Sequence, residues 1–254
     1  MKRSVRQREI LRLLQDREEI SVEEACESFQ ISQATARRDF ATLAEEGRVE
    51  KTWGGVRSAD PHANPMLPSG LRENLNSSEK HRIGARAAEM CRDGDIVFVD
   101  GGTTTSQMAR WLAARPVRVV TNSLLIAHEI DRQRTDAQGA EVFLTGGYLY
   151  PGSGLLVGPE TVESVRRYRA VTAFLSVGGI TEEGFANNHH LVVEVERAMI
   201  SRASRVVLLA DHSKFGRREL VSECSWDEVD VVVTDRPPDE TFRKLLTDRV
   251  VVAE

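Results

Sequence analysis

The sequence predicts an α/β protein in two parts, a small helical domain closed by a β-hairpin and a larger α/β domain on a mostly parallel sheet. Three observations predict it. Residues 32–55 combine a short amphipathic helix with adjacent arginines, a glycine stop and a tight hairpin. Residues 58–70 hold Pro61, Pro65, Pro68, Ser69 and Gly70, which sustain neither a helix nor a central strand. Beyond Ser78, short β-branched runs alternate with helical patterns, as expected of strands buried on both faces. A length of 254 residues with 41% hydrophobic content suffices for two cores. The expected boundaries are residues 1–58 for the small domain, 59–77 for a linker and 78–254 for the large domain.

In the small domain, Ile10, Leu13 and Leu14 make one helical stripe, and Val22, Ala25, Cys26 and Phe29 a second. Ser21 and Glu24 have capping-box spacing, and Ser32 is a suitable N-cap for a third helix after a short link. With Ala36 facing inward, the helical period brings Phe40 and Leu43 to the same side and turns Arg38 outward, with Thr35 and Arg37 at the margins. Small residues around guanidinium groups let a helix lie close to a duplex, where arginine offers paired donors to guanine edges or phosphates. Gly47 is expected to end this helix. Arg48 to Val56 then form a wing, with Gly54-Gly55 allowing a sharp turn. The order turn, helix, wing is that of a winged helix-turn-helix, with Gln33, Thr35, Arg37, Arg38 and Lys51 as expected contacts to double-stranded DNA.

The net charge of −5 does not by itself suit a DNA binder. Residues 1–58 carry 11 Lys+Arg and 11 Asp+Glu, whereas the other 196 carry 23 and 28. Binding must therefore rest on local clusters: Lys2, Arg3, Arg6 and Arg8, then Arg37, Arg38, Arg48 and Lys51. The cysteines, Cys26, Cys91 and Cys224, fit neither a disulfide framework nor a zinc motif. No apolar stretch follows the first basic residues, so no signal peptide is expected, and no run approaches the ~20 residues of a membrane span. The expected compartment is the cytoplasm.

In the large domain a helix running to about Cys91 gives way to a strand at Ile96–Val99. Further strands are expected over 117–121, 141–145, 171–177, 206–210 and 229–234. Ligands of such sheets bind at the carboxyl ends of strands, where strand order switches. Polar residues collect there. Asp100, Gly101, Gly102, Thr103 and Thr104 follow the first strand and should open a helix at Ser106, offering hydroxyls and backbone N–H groups to an anion. Thr121-Asn122, Gly146-Gly147 and Asp211 to Gly216, including Lys214, end later strands. The glycine loop is neither a Walker A nor a dinucleotide fingerprint, which disfavours nucleotides.

Read together, Ser32-x-x-Thr35-x-Arg37-Arg38-Asp39, Gly54-Gly55, Asp100-x-Gly102-Thr103-Thr104, Thr121-Asn122, Gly146-Gly147 and Asp211-x-Ser213-Lys214-Phe215-Gly216 resemble the DeoR family of bacterial sugar-metabolism repressors. The resemblance runs along nearly the whole chain. It implies a Rossmann-like sensor domain similar to ribose-5-phosphate isomerase and glucosamine-6-phosphate deaminase. It also implies a phosphorylated sugar as effector, held by Asp100 to Thr104, Gly146, Gly147 and Lys214, and homo-oligomeric binding to operators. No cofactor and no catalysis are implied.

One segment departs from that pattern. Where the family commonly has a lysine before Arg197-Ala198-Met199, and an acid four residues earlier, this chain has Glu196 and Val192. Ala186 to His190 replace a Thr-Thr-Pro-Asp-like stretch. Its paired histidines lack a third ligand, so a polar loop capping the next helix is expected rather than a metal site. Two other functions compete with a ligand-controlled regulator. One is a sugar-phosphate isomerase or deaminase, with Asp100, Asp211 and His212 as conceivable acid-base groups. The other is a constitutive DNA-binding protein with a degenerate pocket.

Overall fold

The computed structural model describes residues 3–16, 19–46, 48–58, 75–134 and 138–254. Contacts divide the chain into two units, Met1–Arg72 and Glu73–Glu254. Lys2, Gly47 and most of the expected linker lie outside the described residues.

The small unit runs α1 (Arg3–Asp16), β1 (Glu19–Ser21), α2 (Val22–Phe29), α3 (Gln33–Glu45), β2 (Val49–Lys51) and β3 (Gly55–Ser58). Its core joins Ile10 and Leu14 of α1, Val22 and Ala25 of α2, Ala36, Phe40 and Leu43 of α3, and Ile20, Val49 and Val56 from the strands. Both caps form as spaced: Glu24 N donates to Ser21 Oγ and Ser21 N to Glu24 Oε2, while Thr35 N donates to Ser32 Oγ at 3.3 Å. Gln30, at φ 52°, closes α2 and donates its N–H to Cys26 O. Strand β1 was not expected. It pairs with β3, so the wing is part of a three-stranded antiparallel sheet in the order β1-β3-β2. Gly55 is needed for that contact rather than for the turn, since a Cβ there would fall 2.1 Å from Ile20 O.

The large unit starts with α4 (Ser77–Ala88), β4 (Ile96–Val99), a 3₁₀ turn at Thr105–Met108, α5 (Ala109–Leu112), β5 (Arg118–Thr121), α6 (Leu124–Gln133) and β6 (Glu141–Leu144). A hairpin follows, β7 (Tyr148–Tyr150) and β8 (Leu155–Val157), and then α7 (Pro159–Arg166) and β9 (Thr172–Ser176). The chain continues through β10 (Gly179–Thr181), β11 (Gly184–Asn187), α8 (His190–Ser201), β12 (Val206–Leu209) and β13 (Val221–Cys224). It closes with β14 (Val231–Thr234), α9 (Glu240–Leu246) and β15 (Val250–Val252). The seven-stranded sheet has the order β15-β14-β12-β9-β4-β5-β6, with every pairing parallel.

The two-residue period of the strands divides the core into two layers. Val97, Val99, Val119 and Leu209 face Ile83, Met108, Leu112 and Ile126, under α4 to α6. Phe98, Val120, Leu175 and Leu208 face Val165, Val195, Met199 and Phe242, under α7 to α9. Each such side chain, fully buried, contributes about 1.5–3 kcal/mol. All expected strands are present, their ends shifted by a residue or two. The additional antiparallel sheet β10-β11-β13 and the β7-β8 hairpin have strands too short to leave a period in the sequence. The helix expected at Ser106 is instead the 3₁₀ turn followed by the four-residue α5, so its dipole at the glycine loop is small.

Candidate functional site

Helix α3 shows Gln33, Ala34, Arg37 and Arg38 outward, with Lys51 exposed on β2. Thr35 is half-buried and its hydroxyl lies 3.0 Å from Ser32 Oγ, so it completes the cap at the start of the helix. Two arginines of the expected basic cluster point to a different partner. Arg6 is buried and places Nε 2.5 Å from Asp39 Oδ2, and Arg3 Nε lies 3.4 Å from Oδ1 of the same carboxylate. Asp39 is only 1% exposed, so this part of the Arg-Arg-Asp motif holds α1 against α3. One candidate contact was missed. Trp53 at the wing tip is fully exposed and borders a shallow groove with Arg37, Phe40 and Lys51. Only its position in the turn before Gly54-Gly55 could have flagged it.

The large sheet reverses its strand order at β4, which has β5 on one side and β9 on the other. Asp100 leaves β4 and Ser176 ends β9, so both stand at the switch point. Ser176 Oγ donates to Asp100 Oδ2 at 2.8 Å, and Gly102 N donates to Oδ1 at 3.3 Å. The loop closes so tightly that a Cβ at Gly102 would sit 2.0 Å from Ser176 Oγ. Thr105 Oγ1 donates to Gly102 O, and Ser106 Oγ to Thr103 O, fixing the loop from within. Asp100 thus shapes the loop, while the Thr103 and Thr104 hydroxyls make no hydrogen bond among the described residues.

Other expected site residues are dispersed. Thr121 is fully buried and its hydroxyl accepts from Ser123 N at 3.1 Å, ordinary turn chemistry. Asn122 donates Nδ2 to Leu156 O at 3.0 Å and so ties β5 to β8. Gly146 and Gly147 are exposed at the end of β6, two strands from β4 or roughly 10 Å. Gly146 O accepts from Thr161 Oγ1 at 2.6 Å. On the other flank Lys214 is buried beside Asp211, whose Oδ1 accepts from Asn76 Nδ2 at 2.9 Å and Ser213 N at 3.0 Å. Burial pushes the Asp211 carboxyl up, but Lys214, Ser213 and Lys80 outweigh it and hold the group below its ordinary range. Lys80 was also missed. It takes an inward position of α4 with Ile83, Gly84 and Ala87, a spacing that could have revealed it.

The departing segment enters the same region. His189 caps α8, its Nδ1 accepting from Leu191 N at 3.3 Å, and burial with the neighbouring His190 lowers its pKa. Among the described residues no group of three His, Cys, Asp or Glu side chains could hold a metal ion. Val192 packs with Leu155 and Val157. Glu196 and Glu223 are buried, and desolvation first, then the facing carboxylates, push both well above the ordinary carboxylate range. The folded state therefore binds their protons more tightly than the unfolded state. Their stabilisation is complete below the ordinary carboxylate range and is lost as pH rises through the raised values. The unliganded protein is expected to melt lower at about pH 8 than at about pH 5.5, and Glu223→Gln to remove part of that drop by ~2–4 °C per kcal/mol recovered. A pH-independent melting temperature in a thermal-denaturation series would contradict this. Asp211 acts oppositely, losing its contribution as pH falls through its lowered value.

A winged helix-turn-helix joined to an α/β domain with a loop-lined switch point defines a DNA-binding regulator. The DeoR-like helix-turn-helix domain matches residues 6–62 and the DeoR C terminal sensor domain matches residues 75–236. The chain is 35% identical to the HTH-type transcriptional repressor GlcR of Bacillus subtilis, over 93% of this chain and 90% of that one. It is 32% identical to the glycerol-3-phosphate regulon repressor of Escherichia coli, over 100% and 99%. Among solved structures it is similar to ribose 5-phosphate isomerase A of Methanocaldococcus jannaschii, at 15% identity, a TM-score of 0.39 and 55% of each chain. The chain belongs to the DeoR family of transcriptional regulators. These two relatives are named as repressors, and no helix of the described residues is long and apolar enough to cross a membrane.

Proposed function

We propose that the chain represses carbohydrate-metabolism genes, binding an operator as a homo-oligomer in the cytoplasm under the control of a phosphorylated sugar or related anion. The observation that carries this reading is the Gly102–Thr104 loop at the sheet's switch point, with its threonine hydroxyls unused, and with Lys214 and Lys80 buried beside Asp211 at the end of β12, two strands away. Backbone N–H groups and the two hydroxyls hold the phosphate, and the lysines supply countercharge. The glycerol-3-phosphate regulon repressor of Escherichia coli is named for such a metabolite's regulon, which supports the choice of class.

The experiment is a thermal-shift screen of sugar phosphates, the matching free sugars, nucleotides and inorganic phosphate. A phosphorylated compound at about 100 times its Kd should add ~2.7 kcal/mol. Thr103→Val and Lys214→Ala are expected to abolish that shift while circular dichroism stays native. Binding by free sugars or nucleotides alone would overturn the assignment.

At the DNA, Arg38 contacts a base edge, Arg37 and Lys51 the backbone, and Trp53 packs against sugars beside the groove. Arg38→Ala should cost ~1–3 kcal/mol and relax preference at one position, while loss of a phosphate contact weakens all sequences alike. Titrating operator and scrambled DNA across salt concentrations distinguishes the two, and unchanged affinity for both would remove α3 from the interface. Assembly draws on the sheet edge. Strand β6 carries exposed Phe143 and Leu144, next to Tyr148 and Leu149 on β7, an apolar edge suited to a second copy.

A further inference from the structure

Three carboxylates from separate elements meet at the switch point. Asp100 comes from the end of β4, Glu196 from α8 and Glu223 from β13, and each is at most 3% exposed. Glu196 faces both Asp100 and Glu223, and Asp100 faces Glu223. Asn187 Nδ2 donates to Glu196 Oε1 at 2.9 Å and Asp100 shares a side-chain hydrogen bond with Glu196, but both Glu223 oxygens have no hydrogen-bond partner. Arg197 acts on Glu223 only through its charge, since its guanidinium donates to Glu223 O at 3.0 Å and Ser222 O at 2.8 Å. A second observation is independent of the acids. Asn122 leaves β5 at the level where Asp100 leaves β4, since Val99 pairs with Thr121. Its Nδ2 is anchored on Leu156 O, which leaves Oδ1 a buried acceptor without a donor.

We infer that the ligand carries an amine as well as its phosphate, and that Glu196 and Glu223 select the amine. This rests on the reading of the switch point as the effector site. Unmet buried acceptors are costly, and an ammonium brings three donors and a positive charge that favours the ionised acids. A sugar hydroxyl brings a single donor and no positive charge. Burial and the facing carboxylates disfavour the ionised acids in the empty site, and an arriving ammonium favours their ionised form. Val192, packed on Leu155 and Val157, offers that end of the ligand only an apolar wall.

The test is isothermal titration of the full chain with matched phosphorylated pairs: glucosamine 6-phosphate against glucose 6-phosphate, and phosphoethanolamine against glycerol 3-phosphate. The amine member of at least one pair is expected to bind at least tenfold tighter. Glu196→Gln should erase that preference. Glu196→Lys, which supplies the ammonium from the protein, should reverse it. Circular dichroism and melting of each variant report its folding, and the wild-type comparison within pairs stands even if a variant fails to fold. Equal or tighter binding of the neutral members, or a preference that survives in folded Glu196→Gln, would overturn the inference and leave the phosphate site intact. Failure of all four compounds, with binding by unphosphorylated sugars instead, would overturn both.

Discussion

Asp39→Ala is expected to destabilise the DNA-binding unit by ~3–5 kcal/mol. Asp39 is buried between α1 and α3 and takes the Arg6 guanidinium at 2.5 Å. Removing the carboxylate leaves Arg6 buried without its nearest anion, and the desolvation already incurred is no longer offset. A small domain has little stability to lose, because its ten-residue buried core is shallow. Urea denaturation of residues 1–72 should show the midpoint collapse. The full chain should lose operator binding while its sensor domain still melts cooperatively. Replacing both partners with apolar residues, Arg6→Met with Asp39→Leu, should recover much of the loss. An unchanged midpoint for Asp39→Ala would mean that the pair contributes nothing.

Residues 1–72 alone are expected to bind operator ~10²–10⁴-fold more weakly than the intact chain, the loss expected when two linked readers become one. This unit has its own core and equal numbers of acidic and basic residues over 1–58, so a single copy has little to hold it on DNA. In the proposed assembly the sensor domain, through the exposed Phe143–Leu144 edge, would set two readers on one duplex. Light scattering should give an oligomer for the intact protein, and Leu144→Lys should shift it toward monomer and weaken operator binding in parallel. A monomeric intact protein, or a truncated piece that binds as tightly as the whole, would exclude this arrangement.

What was legible in the sequence was what local physics determines. The caps at Ser21 and Ser32 and the inward face of α3 follow from chemistry acting within one turn. The central strands follow from β-branched runs long enough to show their character. The roles of polar residues were harder to read, because they depend on elements distant in sequence. Arg6 reads as a phosphate ligand until Asp39, 33 residues on, is seen to claim it. Thr121 and Asn122 read as pocket residues, yet neighbouring main chain takes the Thr121 hydroxyl and the Asn122 amide. Glu223 gave no signal, because strand β13 is short and Glu223 sits at the bulge that the pairing of β13 with β11 skips. The substitution at position 196 was visible, but only the fold places that carboxylate against Asp100 and Glu223.

In the proposed mechanism a phosphorylated metabolite, bound on the Gly102–Thr104 loop, changes the grip of the reader helices on DNA. This is tested most directly by fluorescence anisotropy of the full chain on an operator selected from random DNA, titrated with a phosphorylated ligand from the screen. Wild-type affinity should change about 5–150-fold, corresponding to ~1–3 kcal/mol of coupling. Thr103→Val should hold operator with normal affinity and show no change. An equal response in folded Thr103→Val, or a wild-type affinity unaffected by any phosphorylated ligand that binds the protein, would contradict the account.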